Sequence, residues 1–179
     1  GIENYDVISI SHPGVLYYSV TNQIFESVIN LGSKVTFIGR ANIGLHKVLD
    51  SYNNETLVTN PDYLYSLSVK TIENKYADLC YSDEVSNLLQ ENKVIVSELT
   101  AQQYSLNTGD KMVLVGMNEV ITELEIGKII PDSELGWFEA LVSKKIGYEL
   151  GINRNIQAII WDTKVTENHF VELYKNIEY

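Results

Sequence analysis

Hydrophobic and polar positions divide the chain into short segments of two different periods. "YDVISIS", Tyr5 to Ser11, alternates and is rich in Val and Ile, which predicts a strand. His12-Pro13-Gly14 then signals a turn. From Thr21 to Leu31 the apolar residues Ile24, Phe25, Val28, Ile29 and Leu31 recur at helical spacing. Thr21 or Asn22 can cap that helix, and Gly32 sits where a C-terminal glycine belongs. "SKVTFIGR" returns to strand character over Lys34 to Gly39. Strand, helix and strand in this order predict a compact α/β unit, with its second strand beside the first or one place away.

The pattern blurs over Ala41 to Leu49, which reads as a short helix or an irregular crossing. "SYNNE" is a polar loop and Asn60-Pro61-Asp62 a turn, after which "YLYSLSVK" alternates as a strand. Asp83 to Gln90 is a short helix with Val85, Leu88 and Leu89 on one side. Val94 to Val96 is a short buried strand. Ser97 then has the chemistry of an N-cap, because its hydroxyl can accept from the free N–H groups of a first helical turn. Leu99, Gln103 and Tyr104 follow at helical spacing, Leu106 closes the apolar side, and Asn107 to Asp110 makes a glycine turn. "KMVLVG" and "VITELEIGKIIP" are strands joined by a hairpin at Gly116 to Glu119. "IQAIIWD" is a strand from Ile156. Thr166 can cap a last helix whose buried stripe is Phe170, Leu173 and Ile177, with His169 beside it.

One phrase comes back. Val96-Ser97 corresponds to Val142-Ser143, and Leu106-Asn107 to Ile152-Asn153, at an offset of 143 − 97 = 46 residues. Each copy reads as strand, serine cap, short helix and turn. Two copies of slight identity are not a solenoid array, and the same grammar also arises whenever an α/β chain reuses strand–Ser–helix junctions.

The chain has 179 residues, 45% of them hydrophobic, enough for one sizeable core or two small subdomains. Acidic residues number 24 and basic residues 13, for a net charge of −11. That balance argues against nucleic acid and against anionic lipid head groups, which both need a basic face. The single cysteine, Cys80, excludes an internal disulfide and a cysteine metal cluster. No apolar run is long enough for a membrane helix. A start at Gly1 is expected of a chain trimmed from a longer one.

Few residues point to chemistry. Glu123 and Glu125 alternate on a strand and face outward together, without the contrast of environments that acid–base work needs. His46 and Asp50 would share a face of a helix, but no third ligand follows. There is no glycine-rich phosphate loop, Walker lysine or Gly-x-Ser-x-Gly elbow. Tyrosine is common, at 12 residues, and Tyr17-Tyr18 and Tyr63/Tyr65 suit either a binding surface or the rim of a core. "PDSELGWFEA", Pro131 to Ala140, sets aromatics in a loop, where they serve recognition or fold back to cap the core. The candidate interaction surface is therefore Leu135, Trp137 and Phe138, with Tyr17 and Tyr18. No catalytic, cofactor or metal residue is assigned.

"VIVSELTAQQYSLNTGDKMVLVG" followed by "ITELEIGKIIPDSELGWFEALVSKK" resembles the extracytoplasmic core domain of MacB/FtsX-type ABC permeases. The matching elements are Val96-Ser97, Leu106 to Asp110, Lys111 to Val115 and Ile129 to Asp132. "ELGINRNIQAIIW" is similar to that family's late helix-to-strand turn, and "VTNQIFESVINLGSKVTFIGR" to its first helix and second strand. Similar modules also precede cell-wall peptidase domains.

The resemblance implies an α+β fold, a porter-like α/β unit with a β-rich inserted subdomain. The boundaries expected are residues 1–40 plus 140–179 for the first and 41–139 for the second, within one extracytoplasmic domain of residues 1–179. It implies a non-catalytic domain without cofactors, acting through contacts with an envelope protein partner or the rest of its own membrane protein and through conformational coupling, outside the cytoplasmic membrane and anchored to it in the full-length protein. The alternatives are an accessory binding module of a cell-wall peptidase, and a hydrolase using Cys80 with His46 or His169.

Overall fold

The computed structural model describes residues 6–9, 35–60, 62–74, 77, 81–152 and 156–161. In chain order its elements are β1 (Asp6–Ser9), β2 (Val35–Leu49), β3 (Glu55–Val58), β4 (Tyr65–Ile72), α1 (Asp83–Gln90), β5 (Val94–Ser97), α2 (Glu98–Tyr104), β6 (Lys111–Val115), β7 (Ile121–Ile130), β8 (Ala140–Ser143), α3 (Lys144–Glu149) and β9 (Ile156–Trp161). The fold is a mixed, sheet-rich α+β fold. It divides into two compact units, residues 1–39 with 154–179, and residues 40–153. The helices expected over Thr21–Leu31 and after Thr166 lie outside the described residues.

In the first unit, β9 runs antiparallel to β1, with Asp6 opposite Trp161, and antiparallel to the first part of β2, with Val35 opposite Trp161. The strands expected at the start of the chain and at Lys34–Gly39 are therefore parallel to one another and one place apart.

The second unit is a closed barrel of six strands. Its order is β2-β4-β8-β5-β7-β6, and β6 pairs back onto β2. Strand β8, expected with the terminal unit, belongs here because it pairs parallel with β4 and antiparallel with β5. The barrel interior is filled by alternating side chains such as Ile43, Leu45, Leu67, Val94, Met112, Leu114 and Ile126, each fully buried. Ile95 and Leu141 lie on the opposite alternation yet are also fully buried. Helix α1 packs over β5, β7 and β8 and covers them with Val85 and Leu89. This is why "VIVS" and "ALVS" read as unbroken apolar runs: both faces of these strands are covered.

Ala41–Leu49 is neither helix nor crossing. It is the continuation of β2, and its odd pattern has a physical cause. Ala41, Ile43 and Leu45 point inward, and then the register against β6 shifts between Leu45 and Lys47, so that Val48 takes the next interior place. The β-bulge makes the spacing of buried residues 45 to 48, which imitates a helical period. Thr59 covers the carbonyls at the bulge: its N–H donates to His46 O at 2.8 Å, and its single hydroxyl proton is shared between His46 O at 2.8 Å and Leu45 O at 3.2 Å. The polar turn at Asp50–Asn54 leads into β3, a strand that the sequence did not signal because only Leu57 in it is partly covered.

The repeated phrase is real in three dimensions. Ser97 accepts from Thr100 N–H at 3.3 Å and Ser143 accepts from Ile146 N–H at 3.2 Å, each with extended backbone, and each opens a short helix. Their strands obey the same register, Ile130 opposite Ser97 on β7 and Ile72 opposite Ser143 on β4, both parallel. Because β5 and β8 are antiparallel neighbours, helices α2 and α3 close opposite ends of the barrel. Ala101 and Leu106 enter the core from one end, and Ile146, Leu150 and Ile152 from the other.

Candidate interaction surface

The segment from Pro131 to Glu139 joins β7 to β8 beside α2. Pro131 O accepts from the N–H groups of Glu134 and Leu135, Ser133 O from Gly136, and Asp132 O from Trp137 at 2.9 Å, so the loop coils as a single turn. Gly136 and Trp137 then leave it in left-handed conformation, with φ 68° and 64°. Glycine takes that geometry freely, whereas for a tryptophan it costs about 1–2 kcal/mol.

Two carboxylates pin the loop to its surroundings. Asp132 Oδ1 accepts the Leu99 N–H at 2.9 Å, a free donor of the first turn of α2. Glu139 works at the other end. Its Oε1 accepts from Ser68 N–H at 3.1 Å, its Oε2 from the Thr100 hydroxyl at 3.4 Å, and its carbonyl from Ser97 N–H at 3.0 Å. Tyr104 lies beside this carboxylate with its ring centroid 5.1 Å from that of Tyr65. Partial burial first, then the Glu139 charge and Tyr65, raise the Tyr104 hydroxyl above its ordinary pKa.

The structure separates the aromatic candidates. Leu135 is fully buried and is not part of a presented surface: it is the apolar anchor under the turn. Trp137 is 73% exposed. Phe138 is half-buried, with the Arg40 guanidinium 5.8 Å and the Lys70 ammonium 5.6 Å from its ring centroid. Tyr17 and Tyr18 lie outside the described residues, as do Cys80, His12 and His169. Leu135→Ala is expected to cost about 3 kcal/mol, while Trp137→Gly is expected to lose nothing or to gain up to about 1 kcal/mol as the strained backbone relaxes. Urea unfolding of the two variants checks this contrast.

The remaining polar candidates are structural. His46 and Asp50 do not share a helix face, because β2 is extended there. Asp50 instead closes the β2–β3 turn, accepting from Tyr52 N–H and Asn54 N–H at 2.9 Å each. The Asn54 N–H, ahead of Tyr52, holds the Asp50 carboxyl below its ordinary pKa. A depressed carboxylate contributes stability above its unfolded value of about 3.9, and that contribution is lost as pH falls through the folded value. The melting temperature of Asp50→Asn is expected below that of the parent at neutral pH, with the gap closing under about pH 4. Glu123 and Glu125 face outward as expected, paired with Lys111 at 3.8 Å and Lys93 at 3.0 Å. Among the described residues no group of three metal-ligating side chains comes together, and no helix is long and apolar enough to cross a membrane.

Asp132 and Glu139 are the residues that hold this loop in place, and the sequence carries no signal for that role. Their partners, Leu99 N–H, Ser68 and Thr100, come from distant segments and carry no local signal.

No family model and no curated protein sequence matches the chain. Among solved structures, it is similar to the crystal structure of the extracellular domain of the noncanonic ABC-type transporter YknZ from Gram-positive bacteria. The identity is 11% and the TM-score 0.48, over 94% of this chain and 88% of that one.

Proposed function

We propose that this chain is a non-catalytic extracytoplasmic domain of a MacB/FtsX-type ABC permease, acting through partner contacts and conformational coupling. The observation that carries the reading is the place of the resembling motifs. Val96-Ser97, Leu106 to Asp110, Lys111 to Val115 and Ile129 to Asp132 fall on consecutive elements of one barrel, β5 to β7 and the loop that follows. Each has a structural task there. The Ser97 hydroxyl is fully buried and engaged with Thr100, as a helix cap and not as a nucleophile. The Asp110 carboxylate accepts from Asn107 N–H at 2.8 Å and locks the glycine turn.

The barrel gives such a domain a stiff body, and the Pro131–Glu139 loop gives it a contact point. The full-length gene tests the proposal. Membrane helices flanking this segment are expected, and deletion of the segment is expected to leave membrane insertion intact while abolishing partner-dependent ATPase turnover. A free-standing protein with peptide hydrolysis that disappears in Cys80→Ser would overturn it.

A further inference from the structure

The two ends of the barrel differ in what they expose. At the α2 end, Tyr63 is 77% exposed, Tyr65 44%, Leu99 59% and Trp137 73%. Asp132 holds the N–H groups of both Leu99 and Trp137, and Tyr65 meets Tyr104 of α2. The segments around these side chains, residues 59–65, 98–106 and 131–139, contain Asp62, Glu98, Asp132, Glu134 and Glu139 and no lysine or arginine, while Lys111, which opens β6 at the same end, is paired with Glu123. Asp132 and Glu139 are spent on the loop itself, which leaves Asp62, Glu98 and Glu134 exposed around the aromatic patch. Arg40 and Lys70 stand at Phe138, on β2 and β4. At the α3 end, residues 116–121 and 143–152 hold Glu119 and Glu149 with Lys144 and Lys145, and Glu73 stands beside the two lysines.

We infer that the α2 end of the barrel is a protein-docking face, with Trp137 as its central anchor, for a partner whose surface presents an apolar socket ringed by lysine and arginine. The inference rests on the proposed function and adds to it the face and the chemistry of the partner. A large aromatic side chain left mostly in water, on a left-handed backbone, contributes little to folding, whereas a tryptophan whose backbone is already held in place suits a binding hot spot. The surrounding carboxylates steer basic partners and repel an anionic bilayer or nucleic acid.

The test uses the full chain carrying Trp161→Phe, which leaves Trp137 as the single tryptophan. It is titrated with a short amphipathic peptide of leucine and lysine, with its leucine and glutamate counterpart, and with phosphatidylglycerol vesicles. The lysine peptide is expected to shift Trp137 emission to the blue, with affinity that falls as salt rises. Affinity is expected to drop at least about tenfold in Trp137→Ala, read by calorimetry, and in the pair Glu98→Lys/Glu134→Lys. It is expected to hold within about twofold in Glu119→Lys/Glu149→Lys, the same charge change at the other end.

Equal losses in both lysine pairs would overturn the inference, and so would equal binding of the glutamate peptide or of the vesicles. Self-association that disappears in Trp137→Ala would overturn it in favour of a second copy of this chain. The underlying function fails separately. A parent permease whose partner-dependent turnover survives Glu98→Lys/Glu134→Lys but not deletion of residues 40–153 keeps the function and loses the face. A parent without ATPase coupling loses the function whatever the peptide does.

Discussion

Gly147→Ala is expected to destabilise the barrel by about 2–3 kcal/mol, although alanine is the better helix former by nearly 1 kcal/mol. Gly147 is buried in the middle of α3, where that helix crosses β4. A Cβ added there would overlap the Thr71 Cγ2 methyl and stand 3.2 Å from Thr71 Cβ. Thr71 is itself buried and short, so it cannot swing aside. The same steric argument supplies a control. Thr71→Ser removes only the methyl, so the double variant Gly147→Ala/Thr71→Ser is expected to recover much of the loss. Urea unfolding of the four proteins gives the coupling energy. If the Gly147→Ala penalty is the same in both backgrounds, the contact is not its cause.

Leu114→Ala is expected to cost about 3–5 kcal/mol, a large share of the stability of a domain this size. Leu114 is fully buried inside the barrel and sits opposite Leu45 on β2, also fully buried. A closed barrel relaxes poorly around a missing side chain, because every strand is held by two neighbours. The cost therefore belongs to the upper part of the range for leucine truncation. Leu45→Ala opens part of the same cavity, so the double variant is expected to lose less than the two single losses added together. Denaturant slopes are expected to stay unchanged, since the extent of unfolding is the same.

Local structure was legible wherever one segment set its own pattern. Asp83–Gln90 forms the expected helix because Ser82 accepts from Val85 N–H and Val85 and Leu89 share a face. Ser97 and Ser143 announce their helices because a cap needs only the next three residues. The bulge in β2 defeated the period argument, because it converts an alternation into a helix-like spacing. Closure was illegible for another reason. Pairing of β2 with β6 and of β4 with β8 joins segments that share no local signal, and only tertiary structure brings them together.

At the surface, "ELGWFE" contains three apolar side chains in four residues, so no period could say which one is buried. The left-handed turn at Gly136 and Trp137 decides it, sending Leu135 inward and Trp137 outward. The acids on either side of these aromatics were visible as charges. Their role as pins was not, because Asp132 works on α2 and Glu139 works on both β4 and α2.

The pairing of β4 with β8 also governs the order in which the chain can fold. Ser68 and Glu139, which bond across that seam, are 71 residues apart in sequence. The β6–β7 hairpin can form within microseconds of being made, but one edge of β4 must wait until β8 has left the ribosome. Closing the seam loses loop entropy before any interior contact returns it, so maturation belongs to the millisecond-to-second class of β-rich domains. Throughout that interval β4 offers an unpaired edge, and Lys70 within it is the charged residue placed to discourage a stray strand.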